Sequence, residues 1–200
     1  MKYVVFFVVL TLIACNKNAE KLPQVNITVD TISQNPMKEE PKDTATVPFS
    51  KSLEGDRYFF ILEGRKETND VINFKSINIF YKKELHQKII FDTVSVLNES
   101  EAYFDISKDV NFDGYKDLEV VNQVGNYWST SSFWLYEKKS RKFNYYKPMD
   151  TIINPKVDTR NKLILSDYHV GPSNFYNKVY QWKKNKLVMI SSQADENDGL

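Results

Sequence analysis

The chain has 200 residues, 27 basic and 26 acidic, for a net charge of +1. That balance excludes a general electrostatic grip on nucleic acid or on an anionic membrane surface. Cys15 is the single cysteine, which excludes an intramolecular disulfide, so the folded region must be held by its core, by a metal or by both.

Lys2 precedes an apolar run from Val4 to Ala14 that is broken only by Thr11. About eleven residues suit the apolar core of an export signal and are too short for a hydrocarbon layer of about 30 Å. The run ends in Leu12-Ile13-Ala14-Cys15, which resembles a lipobox, the signal read by bacterial lipoprotein processing. The resemblance implies a signal peptide over residues 1–14, cleavage before Cys15, diacylglycerol on its sulfur and acylation of the new amino group. Two or more chains make a stable membrane anchor where one makes a reversible one. Asn16, not Asp, follows the cysteine, and by the same resemblance the outer membrane, facing the periplasm, is the expected location.

Residues 15–53 are polar, with Pro23, Pro36, Pro41 and Pro48 spaced along them and the charged run Lys38-Glu39-Glu40. This composition predicts a flexible tether spanning roughly 30–35 Å. Val25 to Val29 alternates and could form a stray edge strand.

From Arg57 the pattern changes. Short aromatic and β-branched runs follow one another: 57–62, 77–81, 87–91, 102–106, 118–121, 132–136, 142–146, 162–165, 177–182 and 187–190. Asn, Asp, Gly, Pro and Lys separate them, which predicts many strands joined by short turns. No helical spacing is sustained in the mature chain, although one short helix over Asp92 to Ser100 is conceivable. The expected domain covers residues 54–192, with a frayed tail over 193–200. Its class is all-β: an antiparallel sandwich, or a small barrel- or propeller-like domain, of about 8–10 short strands.

The sharpest motif is Asp109-Val110-Asn111-Phe112-Asp113-Gly114-Tyr115-Lys116-Asp117. Oxygen-bearing side chains fall at its first, third, fifth and ninth positions. Calcium takes six to eight hard oxygen ligands, and alternate spacing aims Asp109, Asn111 and Asp113 at one centre when the loop wraps an ion. Gly114 permits the sharp turn, the Tyr115 carbonyl adds an oxygen and Asp117 closes the cage, so Ca2+ is the expected cofactor. Without a metal the segment reads as a solvated Asx-rich turn. The flanks read as strands, and Val120 stands where an EF-hand would carry a bidentate Glu.

The loop resembles the calcium loops of FG-GAP repeats, which also lie between strands. The longer string Lys108 to Leu118 is similar to that of a group of small exported β proteins related in fold to periplasmic I-type lysozyme inhibitors, some of which are immunity proteins against peptidoglycan-cutting toxins. The resemblance extends over about Arg57 to Ile190. It implies a protein partner, a cell-wall lytic enzyme, contacted through loops.

After the metal loop comes Val124-Gly125-Asn126-Tyr127-Trp128-Ser129-Thr130-Ser131-Ser132. Tyr127 and Trp128 are either rigid anchors for a partner's cleft, with Ser129 and Ser131 adding hydrogen bonds, or core residues of a hairpin. The turn-rich run from His169 to Asn174 is a second candidate loop. His86 and His169 have no metal-ligand spacing, and no nucleophile elbow, P-loop or dinucleotide fingerprint occurs, so a binding protein is expected, not an enzyme. Two other readings remain: a structural envelope lipoprotein whose calcium loop only supports the fold, and a carbohydrate-binding module stacking sugars on Tyr127, Trp128 or Trp182.

Overall fold

The computed structural model describes residues 45–171 and 174–196. The signal segment, Cys15, the tether as far as residue 44, and Pro172 and Ser173 lie outside the described residues. Twelve strands and two short 3-10 turns make up the described chain. The strands form three antiparallel sheets of four. The first holds β1 (Val47–Glu54), β2 (Tyr58–Lys66), β3 (Ile72–Tyr81) and β4 (Glu84–Val96), and the second holds β5 (Phe104–Asp105), β6 (Leu118–Val124), β7 (Ser129–Glu137) and β8 (Lys142–Tyr145). The third holds β9 (Pro155–Asp158), β10 (Leu163–Val170), β11 (Asn174–Lys183) and β12 (Lys186–Glu196). Each sheet is a meander in chain order, so the strands of a sheet pair only with their neighbours in sequence, and an isolated bridge joins Thr130 to Ile153. The architecture is sandwich-like, and among the described residues no strand pairing closes a barrel.

Strand alternation explains how the sheets stack. On β2, Tyr58, Phe60 and Leu62 are buried at every second position. On β3 the buried series runs Ile72, Phe74 and then Ile77, Ile79, a change of phase. A bulge supplies it: Phe74 and Ser76 pair with Gly64 and Glu63 on one side, leaving Lys75 as the extra residue.

The second sheet is buried on both faces. Trp134 and Tyr136 point into a core shared with Phe60, Leu62, Ile77 and Ile79 of the first sheet. Phe133 points the other way, into a second core with Val110, Met149, Ile152 and Ile164, against which Leu135, Tyr180 and Leu187 pack. The middle sheet therefore serves as the shared layer of two sandwiches. Its edge at β8 is covered by a side chain of the first sheet: Gln87 donates from Nε2 to the Phe143 carbonyl (2.8 Å) and accepts the Phe143 N–H at Oε1 (2.9 Å). That amide replaces the missing strand on an exposed edge.

The structure differs from expectation in its strand count and in four places along the chain. Among the described residues there are twelve strands, not 8–10. β1 occupies residues 47–54, inside the segment read as tether; only Phe49 of it is buried, so its apolar pattern is too thin to read. β9 is four residues long and opens on Pro155. The conceivable helix over 92–100 is instead the end of β4, where Val94 and Val96 favour extended backbone, followed by a 3-10 turn over Glu99–Glu101 capped by Asn98. β12 also runs to Glu196, into the expected frayed tail.

Phe133 is 1 % exposed at the centre of the second core, whereas Val188 on the third sheet is 40 % exposed. Phe133→Ala is expected to lower unfolding free energy by about 3–5 kcal/mol, and Val188→Ala to change it by under about 0.5 kcal/mol, as measured by urea denaturation.

Candidate functional site

The Asp-rich loop connects β5 to β6 in the middle sheet. Its base is closed by the Asp117 N–H donating to the Lys108 carbonyl at 2.7 Å. Beside the base, Lys108 pairs with the buried Glu119 at 2.5 Å and with Asp105 at 3.6 Å. Burial pulls the Lys108 ammonium down, but the neighbouring Glu119 carboxylate outweighs it and the net direction is upward.

Inside the loop each acidic or amide side chain folds back on backbone N–H groups. Asp109 accepts from Asp113 N (3.1 Å) and Gly114 N (2.8 Å). Asn111 Oδ1 accepts from Asp113 N (3.1 Å), and Asp113 Oδ1 accepts from Tyr115 N (2.9 Å). Asn111 Nδ2 also donates to Asp113 Oδ2 at 2.9 Å. These are nested Asx turns. They require left-handed backbone at Phe112 (φ 60°) and Gly114 (φ 90°). A Cβ on Gly114 would meet nothing within 4 Å, so glycine is needed there for its backbone and not for space.

Asp117 stands apart. It is 1 % exposed, and both of its oxygens are engaged: Oδ2 accepts from Val110 N at 2.9 Å and Oδ1 from Tyr136 N at 2.8 Å. Burial pushes its carboxyl up to about 7 against the pull of those two N–H groups, and the charges of Asp113 and Asp109 push the same way. A positive charge at the loop would relieve all three acids. The loop is further tied to both cores. Val110 is fully buried and its carbonyl accepts from Trp182 Nε1 at 2.6 Å, and Tyr115 lies 5.5 Å from the Tyr136 ring.

Asp109, Asn111, Asp113, Tyr115 and Asp117 thus share one loop. Carboxylate, amide and carbonyl oxygens are the donor types a hard divalent cation takes, and no sulfur or ring nitrogen is among them. Among the described residues, however, no group of three or more His, Cys, Asp or Glu side chains is gathered as a metal cluster; the loop's oxygens are turned onto backbone N–H groups of the loop itself and, for Asp117 Oδ1, of Tyr136. Next to the loop an open cleft of about 710 Å3 runs to the β1–β2 turn, with Tyr58, Tyr115 and Tyr136 on its walls. There burial and the adjacent Tyr136 hydroxyl, 3.3 Å away, raise the Tyr58 phenol to about 12.

The second predicted site splits. Tyr127 and Trp128 form the tip of the β6–β7 hairpin, 70 % and 37 % exposed, so the reading of them as core residues does not hold. The Gly125 N–H donates to the Trp128 carbonyl at 2.7 Å, and a Cβ there would collide with the indole. Ser131, by contrast, is buried within β7 and cannot reach a partner. Ser129 is taken up by Asn154, whose Oδ1 accepts the Ser129 N–H at 2.7 Å.

Sequence reasoning passed over Asn154. It sits in left-handed backbone (φ 47°) between β8 and β9. Its N–H donates to the Ser129 carbonyl (2.8 Å), and its Nδ2 donates to the carbonyls of Tyr127 (3.1 Å) and Asp167 (3.0 Å). One residue therefore binds the hairpin tip to the third sheet. As a result the two candidate loops meet: the Tyr127 ring lies 4.7 Å from His169, which stacks on Phe175 at 5.6 Å. Trp182, offered as a sugar platform, is half-buried against Tyr146 with its N–H spent on Val110; it is a structural residue.

No protein-family model matches the chain, and no curated protein does. Among solved structures it is similar to a type IV secretion system related protein of Xanthomonas, with a TM-score of 0.54 and 13 % identity over 80 % of this chain and 86 % of that one. At that identity the likeness is one of fold.

With chelator present, Asp117→Ala is expected to cost about 2–5 kcal/mol, because two buried N–H groups lose their acceptor. Asp117→Asn keeps one acceptor oxygen and should cost roughly half as much. Chemical denaturation of the two variants side by side checks this ordering.

Proposed function

We propose that the protein is a lipid-anchored envelope protein, held through Cys15, that binds and inhibits a peptidoglycan-degrading enzyme, with Ca2+ in the Asp109–Asp117 loop stiffening its middle sheet. The observation that carries the inhibitory part is the hairpin tip. Tyr127 and Trp128 are large, exposed and fixed by Asn154, and a rigid aromatic anchor loses little entropy on entering a cleft. The resemblance of Lys108 to Leu118 to the lysozyme-inhibitor group supports the choice of partner. The lipobox would place the domain outside the cytoplasm, where such enzymes act. The structural neighbour is itself described as secretion-system related.

In this reading Asp109, Asn111, Asp113, the Tyr115 carbonyl and Asp117 hold the cation. It supplies charge balance to a loop whose Asp117 is raised by burial first and by its acidic neighbours second. The loop's ties to Tyr136 and Trp182 favour a scaffolding role for the metal over direct contact with the partner.

Extracellular sites of this kind bind at about 10⁻⁴–10⁻³ M, so calcium must be titrated into the millimolar range. Excess calcium over chelator is expected to raise the melting temperature by on the order of 3–6 °C, and Asp109→Ala with Asp113→Ala should abolish that shift; superimposable melting curves would remove calcium from the reading. For the activity, the purified domain with calcium is expected to slow lysis of cell-wall suspensions by at least one of the c-, g- and i-type lysozymes. Tyr127→Ala with Trp128→Ala should relieve that inhibition while leaving the melting temperature within a few degrees. Glycan binding without inhibition of any lysozyme would replace the inhibitor reading with that of a carbohydrate-binding module.

A further inference from the structure

The third sheet adds residues to the hairpin tip that the motif alone does not contain. His169 is the last residue but one of β10, and Phe175 pairs with it across the β10–β11 hairpin. The rings of Tyr127, His169 and Phe175 form a continuous row with centroids 4.7 and 5.6 Å apart. Phe175 and Val170 beside it are 41 % and 56 % exposed. His169 Nδ1 lies 3.0 Å from the Gly171 carbonyl. A carbonyl only accepts, so Nδ1 carries a proton and Nε2 is left to face a partner. The Tyr127 hydroxyl has no hydrogen-bond partner among the described residues. Asp167, the nearest acid on β10, is held by Lys156 at 2.9 Å.

We propose that the docking surface is this composite face and not the hairpin loop alone: the row of Tyr127, His169 and Phe175, with Trp128 beside it on the tip and Asn154 as the positioning residue that holds the tip against β10. The inference rests on the inhibitor reading and deepens it. Its occupant is the substrate cleft of a glycan-cleaving enzyme, for reasons of chemistry. Such a cleft combines flat subsites shaped for sugar rings with catalytic carboxylates. A row of rings fills the first, and the phenol and imidazole groups meet the second as hydrogen-bonding partners. Asn154 acts at one remove. Its Nδ2 holds the Tyr127 and Asp167 carbonyls together, and without that bridge the tip and β10 could separate while both hairpins stay folded.

The test uses the lysozyme class that the wild-type domain inhibits. His169→Ala, Phe175→Ala and Asn154→Gly (glycine retains the left-handed backbone) should each weaken inhibition tenfold or more. Phe175→Tyr keeps the ring and should retain inhibition, as should Val188→Ala elsewhere on the sheet. In Asn154→Gly, hydrogen exchange should rise at the amides of Tyr127 to Ser129 and leave the β7 interior unchanged. If Tyr127→Ala relieves inhibition while the His169, Phe175 and Asn154 variants inhibit like wild type, the composite face is overturned and the inhibitor reading survives. A wild-type domain that inhibits none of the three classes overturns the reading and this inference with it.

Discussion

A sheet with cores on both faces makes an unpaired polar group costly, and this constraint governs the middle sheet, where Thr130 Oγ1 is the side-chain atom left buried without a partner among the described residues. β7 is buried almost from end to end, with Phe133 on one side and Trp134 and Tyr136 on the other. Any polar atom that enters this layer must bring its own partner or cost on the order of 1–3 kcal/mol. Asp117 and Glu119 both meet that demand: the first by clamping the N–H groups of Val110 and Tyr136, the second by pairing with Lys108. The acidic loop is thus attached to the most restricted part of the molecule.

That attachment separates two roles that the acidic motif suggests at once. Asp109, Asn111 and Asp113 sit on the outer turn, where their oxygens answer to loop N–H groups. Asp117 faces inward and orders the join between the loop and β7. A carboxylate in that position carries a raised pKa because it is buried beside two other acids, which is the situation a bound cation would ease. Trp182 and Tyr115 extend the same join to the two cores. The loop therefore touches the second sheet through Tyr136, the third through Trp182 and the core shared with the first through Tyr115.

Surfaces free of this constraint lie at the hairpin ends. The β6–β7 tip projects beyond the packed layer, so Tyr127 and Trp128 are exposed although Phe133, four residues beyond Ser129, is buried. Exposed loops on rigid scaffolds are the usual carriers of recognition. Here the tip is not left loose: Asn154 uses its backbone N–H and both ends of its side chain to fix it against β10. The stiffness comes from a residue in a connection that carries no recognisable motif.

The amino-acid sequence by itself determined the class of fold and the existence of the acidic loop, because both rest on local rules. Period-two runs of aromatic and β-branched residues mark strands wherever they occur, and Asp, Asn and Gly at alternate positions wind a loop whatever surrounds it. β1 and β9 were illegible for the same reason: an edge strand with one buried residue and a four-residue strand opening on proline carry almost no period. Which face each strand buries, and how the sheets stack, was decided by the tertiary structure. The bulge at Lys75 reverses the phase of β3, and β7 is buried on both sides, so alternation alone assigns neither. The meeting of Tyr127 with His169 and Phe175, the burial of Ser131 and the bridging role of Asn154 all depend on residues far apart in the chain, whose proximity follows from packing and leaves no mark in local composition.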